Sequence, residues 1–189
     1  MCIRDSIKND PGKCVYTQML NNDGGIEADV TIVCLERNYF RIISSAATRE
    51  RDKFHINKNL ITNIELTDVT DKYCVFGLFG PKSRELISSI SKEDFSNKNF
   101  KFATGKKIKI NNVETWVQRL SYVGELGYEI YVEFDKAVEI YSLLINEGKK
   151  YNISNCGMHS LDIMRMENGF LHCCLLYTSD AADDSWGVD

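Results

Sequence analysis

Two apolar-rich runs, Val15–Leu20 and Ile26–Leu35, flank Asn21-Asn22-Asp23-Gly24-Gly25. Asn, Asp and Gly supply the backbone angles a tight connection needs, so the pattern predicts paired strands. Tyr39–Ser44 continues the meander. Ala46–Asn59 is polar, carries Arg49, Arg51, Lys53 and Lys58, and reads as a surface helix. Asn63–Val69 and Tyr73–Phe79 return to strand, and Gly80-Pro81 breaks the sheet. Pro suits the first turn of a helix, and Ser83–Ile90 then sets Leu86, Ile87 and Ile90 on one face.

Phe100–Ile110 and Val113–Val123 read as a hairpin around Asn111-Asn112, and Gly127–Val132 as a further strand. Phe134–Lys149 is the clearest helix, with Val138, Tyr141, Leu144 and Ile145 at helical spacing, and Met158–Met166 begins another. Strand and helix alternate with many hairpins, which predicts an α+β fold of antiparallel sheets with packed helices.

Composition narrows the function classes. The 189 residues are 43% hydrophobic and 26% charged, with a formal net charge of −4. The opening Met-Cys-Ile-Arg-Asp-Ser and the closing run from Cys174 resemble translated sequencing-adapter readthrough. Residues 1–6 and 174–189 are therefore expected to be artefactual, with 174–189 disordered, leaving a partial domain over 7–173. Without those ends the charge is zero, so no basic excess argues for nucleic acid. No apolar run approaches the roughly 18 residues that span a bilayer, so no membrane partner is expected. Of the seven cysteines, Cys14, Cys34, Cys74 and Cys156 lie well inside the chain and form no C-x-x-C pair. They read as reduced thiols of a cytoplasmic or matrix-like protein, with no zinc site. His55, His159 and His172 lack metal-ligand spacing, and Met19, Met158, Met164 and Met166 read as core filler.

Three stretches carry a resemblance: Tyr16 to Thr31 (YTQMLNNDGGIEADVT), Arg119 to Ile130 (RLSYVGELGYEI), and the weaker Leu161 to Gly169 (LDIMRMENG). In this order and separation they resemble the folate-binding aminomethyltransferase family of the glycine-cleavage T-protein. The wording of the first two is most similar to its sarcosine and dimethylglycine dehydrogenase branch. The resemblance covers roughly residues 8–172.

Asp29 is the foremost candidate. Asp is a poor strand former because its carboxylate competes with the ladder for hydrogen bonds, and its ordinary place is an edge or a solvent-facing position. Here it shares a strand face with Thr31, Val33 and Leu35. The resemblance makes it the catalytic carboxylate, the second acidic position after the Gly-Gly turn. Gly124-Glu125-Leu126-Gly127 reads as a turn that returns Tyr122 and Glu129 toward each other. A carboxylate can accept two N–H bonds from an amino-pyrimidine edge, and Tyr packs on a ring while keeping a hydroxyl. The ordinary reading is a core Tyr and a solvated Glu; the resemblance implies pterin contact at both. Glu125 reads as structural or solvent-facing. Ser45 stands where the T-protein has an asparagine near the pterin. Leu161 stands where it has a folate-holding arginine, while Arg165 reads as a helical partner of Asp162. Both departures fit the dehydrogenase branch.

The resemblance implies passage of a one-carbon unit from a methylamine or aminomethyl donor to tetrahydrofolate, giving 5,10-methylenetetrahydrofolate. In the dehydrogenase branch, FAD sits on a fused flavin domain that would lie outside this chain. Glycine-cleavage aminomethyl transfer, or folate binding without catalysis, are the alternatives.

Overall fold

The computed structural model describes residue 7 and residues 9–170. The expectations for residues 1–6, for 174–189 and for His172 lie outside them. Seven strands and four α-helices follow in the order β1 (Cys14–Leu20), β2 (Ile26–Glu36), β3 (Tyr39–Ile43), α1 (Arg49–Asn59), β4 (Tyr73–Phe79), α2 (Ser83–Ile90), β5 (Gly105–Ile110), β6 (Val113–Gln118), β7 (Gly127–Glu133), α3 (Ala137–Gly148) and α4 (Met158–Glu167). β1-β2-β3 form one antiparallel sheet and β4-β7-β6-β5 a second, as the hairpin pattern predicts.

The turns show why. The Asn21 side chain accepts from the backbone of Asp23 (3.0 Å) and Gly25 (2.8 Å), which closes the β1–β2 connection. Asn111 and Asn112 both take positive φ (45° and 69°), the geometry that matches the right-handed strand twist in the β5–β6 hairpin.

β7 pairs with β4 on one edge and β6 on the other. Successive strand side chains alternate between faces, so Tyr128, Ile130 and Val132 go one way and Glu129 and Tyr131 the other. The first set joins the larger core, with Phe95, Phe100, Val117 and the inner residues of α2 and α3. The second face meets the β1-β2-β3 sheet, where Trp116 and Tyr131 pack with Cys14 and Val33. The layers are therefore three-stranded sheet, four-stranded sheet, then α2 and α3.

Backbone bonds stitch the two sheets along one line. Gly12 N–H donates to the Cys34 carbonyl (2.7 Å), Gly105 N–H to the Gly12 carbonyl (2.7 Å), and Cys14 N–H to the Ala103 carbonyl (3.0 Å). Gly12 has φ 88°, and a Cβ there would come within 2.7 Å of the Gly105 oxygen, so this crossing requires glycine.

Four expectations need correction. Asn63–Val69 forms no strand. Asn63 is left-handed (φ 74°), and the Asp68 carboxylate bonds Thr70 N–H (3.0 Å) and Arg49 Nε (2.8 Å), side-chain bonding that competes with a ladder. The β5–β6 strands are shorter than Phe100–Ile110 and Val113–Val123, because Ala103 turns left-handed (φ 56°) and regular pairing stops at Gln118. On α3 the buried stripe is Ala137, Ile140, Leu144 and Gly148, while Val138 is 77% exposed. Ile140 and Leu144 enter the larger core, and Ile153 folds back onto Gly148, where the helix has no side chain. Met158 and Met166 are exposed rather than core.

Cys14 and Cys34 are buried and Cys156 is exposed. Burial, then the nearby Glu129 charge, pushes the Cys14 thiol up to about 12. Only thiolate reacts, so a maleimide at pH 8 is expected to modify Cys156 well before Cys14 or Cys34 in the folded protein. Peptide mass mapping reads this directly, and Cys14 labelling as fast as Cys156 would show that the stitched line opens.

Candidate functional site

Asp29 lies in mid-β2, opposite Gln18 on β1. Cross-strand partners share a face, so Asp29, Thr31 and Val33 point with Cys14 toward the second sheet. Asp29 is half-buried. Its Oδ1 is sealed from solvent and takes no hydrogen bond among the described residues. Buried polar atoms are usually paired, and an unpaired one costs about 1–3 kcal/mol. The arrangement therefore offers an acceptor to a donor that the described residues do not supply.

Tyr122 lies beyond the end of β6, in the loop to β7, and comes within electrostatic reach of Asp29, Asp162 and Arg165. Burial, the largest influence, raises its hydroxyl pKa. Its ring stacks on Phe170 (centroids 6.2 Å, planes 17° apart). The loop is held by α4. Asn168 donates to the Val123 carbonyl (3.1 Å) and the Met164 carbonyl (2.9 Å), and Gly124, at φ 74°, lies so close to Asn168 that any Cβ would collide with it. Buried Arg165 pairs with Asp162 (3.3 Å) and donates to the Phe170 carbonyl (3.0 Å), the structural role its spacing indicates.

Glu129 faces Gln118 across the β6–β7 ladder, not Tyr122, which remains in the loop. The turn thus does less to join Tyr122 and Glu129 than the sequence suggests. Glu129 Oε2 accepts from Gln118 Nε2 (2.6 Å) and the Tyr131 hydroxyl (2.9 Å). Oε1 takes no bond among the described residues and is not sealed from solvent. One oxygen, rather than the paired acceptors expected, is thus left free. Asp29 and Glu129 stand on the facing surfaces of the two sheets, and Glu129 lies near enough to Cys14 to raise its pKa. Gly77, opposite Glu129 on β4, adds no side chain beside it.

Ser45 is exposed just before the 3-10 turn that leads into α1, and its carbonyl caps Thr48 (3.1 Å). Neither it nor Glu125, also exposed, meets the other candidates in any described contact. A surface hollow of about 730 Å³ between α2 and the β5–β6 hairpin, lined by Lys92, Glu93, Lys107 and Lys109, contains none of the candidates. Among the described residues no group of three or more His, Cys, Asp or Glu could hold a metal ion.

Sequence reasoning missed Gln118, Tyr131, Trp116 and Arg41. Arg41 lies over the rings of Tyr73 (4.8 Å) and Tyr131 (5.2 Å), with Nη1 buried and without a hydrogen bond among the described residues. Two polar residues at alternate positions of one strand, Glu129 and Tyr131, were the available signal.

Two antiparallel sheets with packed helices are the fold of an aminomethyltransferase T protein. The chain resembles the glycine-cleavage aminomethyltransferase T structure from Bartonella henselae, with a TM-score of 0.71 at 20% identity over 86% of this chain and 42% of that one. It belongs to the GCVT N-terminal domain family, whose model matches residues 1–184. It is 35% identical to 4-methylaminobutanoate oxidase (formaldehyde-forming) of Paenarthrobacter nicotinovorans over 85% of the chain and 20% of that protein. It is 32% identical to an aminomethyltransferase of Caldanaerobacter subterraneus subsp. tengcongensis over 95% of the chain and 47% of that protein. Human mitochondrial dimethylglycine dehydrogenase is 29% identical over 82% of the chain and 18% of that protein. The chain thus spans between about a fifth and half the length of these relatives. Among the described residues no helix is long and apolar enough to cross a membrane.

Replacing Gly124 by Ala forces a side chain into a left-handed position, which costs roughly 1–2 kcal/mol, and pushes Asn168 off the loop. Thermal unfolding is expected to show at least that loss. An unchanged melting temperature would mean that α4 is not held through this turn.

Proposed function

We propose that this chain is the folate-handling part of an enzyme that moves a one-carbon unit from a methylamine or aminomethyl donor to tetrahydrofolate, giving 5,10-methylenetetrahydrofolate. The reading follows the folate domain of sarcosine and dimethylglycine dehydrogenase-like enzymes. One observation carries it: a sealed, donorless carboxylate oxygen on Asp29, facing the sheet that bears Glu129. Tetrahydrofolate supplies the N–H groups such acceptors lack and the nitrogens that take up the carbon unit. Glu129 would hold the ring through Oε1, Tyr122 through its ring face, and Ser45 is the outlying fourth candidate.

Much of the catalysis would be positioning, with donor and acceptor nitrogen held in near-attack geometry between the sheets. Asp29 would add proton transfer at a ring nitrogen, or stabilise positive charge on the donor. In the dehydrogenase-like reading, FAD belongs to a neighbouring flavin domain. The aminomethyltransferase relative, 32% identical over 95% of the chain, favours a second reading: glycine-cleavage transfer from a carrier-bound aminomethyl group. Offering the protein each donor class separates the two.

Calorimetric titration with tetrahydrofolate, paired with a methylene-transfer assay, tests the site. Glu129→Gln is expected to weaken binding by about 1.5–3 kcal/mol, the worth of a hydrogen bond to a charged group. Asp29→Asn is expected to spare binding and slow transfer by roughly 10²–10⁴-fold. Affinity and turnover unchanged in both variants would remove the assignment.

A further inference from the structure

We propose that Gln118 and Tyr131 are positioning residues for Glu129. They fix its Oε2, leave Oε1 as the free acceptor, and set the affinity for the pterin ring without touching it. The inference rests on the folate reading above and adds to it the source of Glu129's geometry.

The three side chains form a closed triangle on the inner face of β6 and β7. Gln118 Nε2 donates to Glu129 Oε2 (2.6 Å) and to the Tyr131 hydroxyl oxygen (3.0 Å), and that hydroxyl donates to the same Oε2 (2.9 Å). Gln118 is fully buried and Tyr131 nearly so, so neither bond is shared with bulk water. An amide can be placed either way round, but a neighbour decides it here. The Trp116 indole N–H can only donate, and it meets Gln118 Oε1 at 3.3 Å. The amide nitrogen must then face Glu129. Gln118 and Tyr131 both donate to the same carboxylate oxygen, which pins the torsion of the carboxylate and leaves Oε1 as its free acceptor among the described residues.

Arg41 completes the arrangement from the opposite sheet. Its guanidinium lies over the Tyr131 ring at 5.2 Å. A cation on the ring face draws electron density from the hydroxyl and strengthens it as a donor to Glu129. The half-buried carboxylate, with no ion pair among the described residues, thus meets two direct donors and a cation one ring removed. Mere packing would need none of this, since Phe and Leu fill the same space.

A double-mutant cycle distinguishes positioning from packing, read as the dissociation constant of tetrahydrofolate for the whole chain. Tyr131→Phe removes one hydroxyl and keeps the ring, and is expected to weaken binding about 10-fold, in keeping with loss of one charge-assisted bond. In a Glu129→Gln background the same change is expected to cost less than twofold, because there is no carboxylate left to orient. Should Tyr131→Phe fail to fold, Trp116→Phe serves instead. It removes the N–H that orders the Gln118 amide, together with some buried ring volume whose loss is common to both backgrounds, and is expected to weaken binding about threefold more in the unaltered background than in Glu129→Gln. Equal losses in both backgrounds would show that these residues only support the core, and would overturn the proposal while leaving Glu129 as a ligand. Absence of any binding by the unaltered protein would instead overturn the folate reading itself.

Discussion

The structure depends on the crossing at Gly12. There the chain passes between two sheets, with the Gly12 N–H bonded to Cys34 and its carbonyl to Gly105, both at 2.7 Å. A backbone that bonds in both directions fixes the separation of the sheets more tightly than side chains could, because each bond has a narrow range of length and angle. Glycine is required on both sides: a Cβ on Gly105 would enter the Trp116 ring, as one on Gly12 would meet the Gly105 oxygen. With the spacing set, Cys14 and Val33 reach Trp116 and Tyr131, and polar groups of both sheets are brought into the same interlayer.

That interlayer has two characters. Where Cys14, Val33, Trp116 and Tyr131 meet it is buried and packed. Toward Asp29 and Glu129 it holds acceptors that are not fully used. β7 sorts the two kinds of interior by alternation alone: its even residues Tyr128, Ile130 and Val132 close the helical core, and its odd residues Glu129 and Tyr131 face the interlayer. A shift of one residue in its register would bury Glu129 among Ile and Phe and turn the core residues into the interlayer, so the pairing of β7 with β4 and β6 is a condition for both stability and chemistry.

Much of this was legible in the sequence where the cause is local. The Asn-rich turns, α2 over Ser83–Ile90, and the anomalous Asp29 inside a strand all follow from neighbours along the chain. The misreadings share a different cause. Asn63–Val69 has strand-like composition, yet Asp68 is drawn away by Arg49, nineteen residues earlier. The inner face of α3 is the one that lets Ile140 and Leu144 enter the core, with Ile153 returning over Gly148. Glu129 was singled out, but its partners were not, because Gln118 reaches it only across the β6–β7 ladder, and Arg41 reaches Tyr131 only from the other sheet. Single-sequence periodicity reports which face a residue takes, not what waits on that face.

The position of β7 also bears on how the chain comes together. β1, β2 and β3 are successive hairpins and can pair as soon as they exist, so the sheet carrying Asp29 is built from near neighbours. The second sheet cannot be built that way. β4 finds its partner only after α2, β5 and β6 have intervened, and β7 must slide into the slot between β4 and β6. Until it does, β4 and β6 each present a bare row of backbone donors and acceptors, the kind of edge that invites pairing with another chain. The strand that brings Glu129 to the interlayer is therefore also the strand whose arrival closes two open edges of the growing sheet, and a defect in its insertion would be felt first as lost solubility.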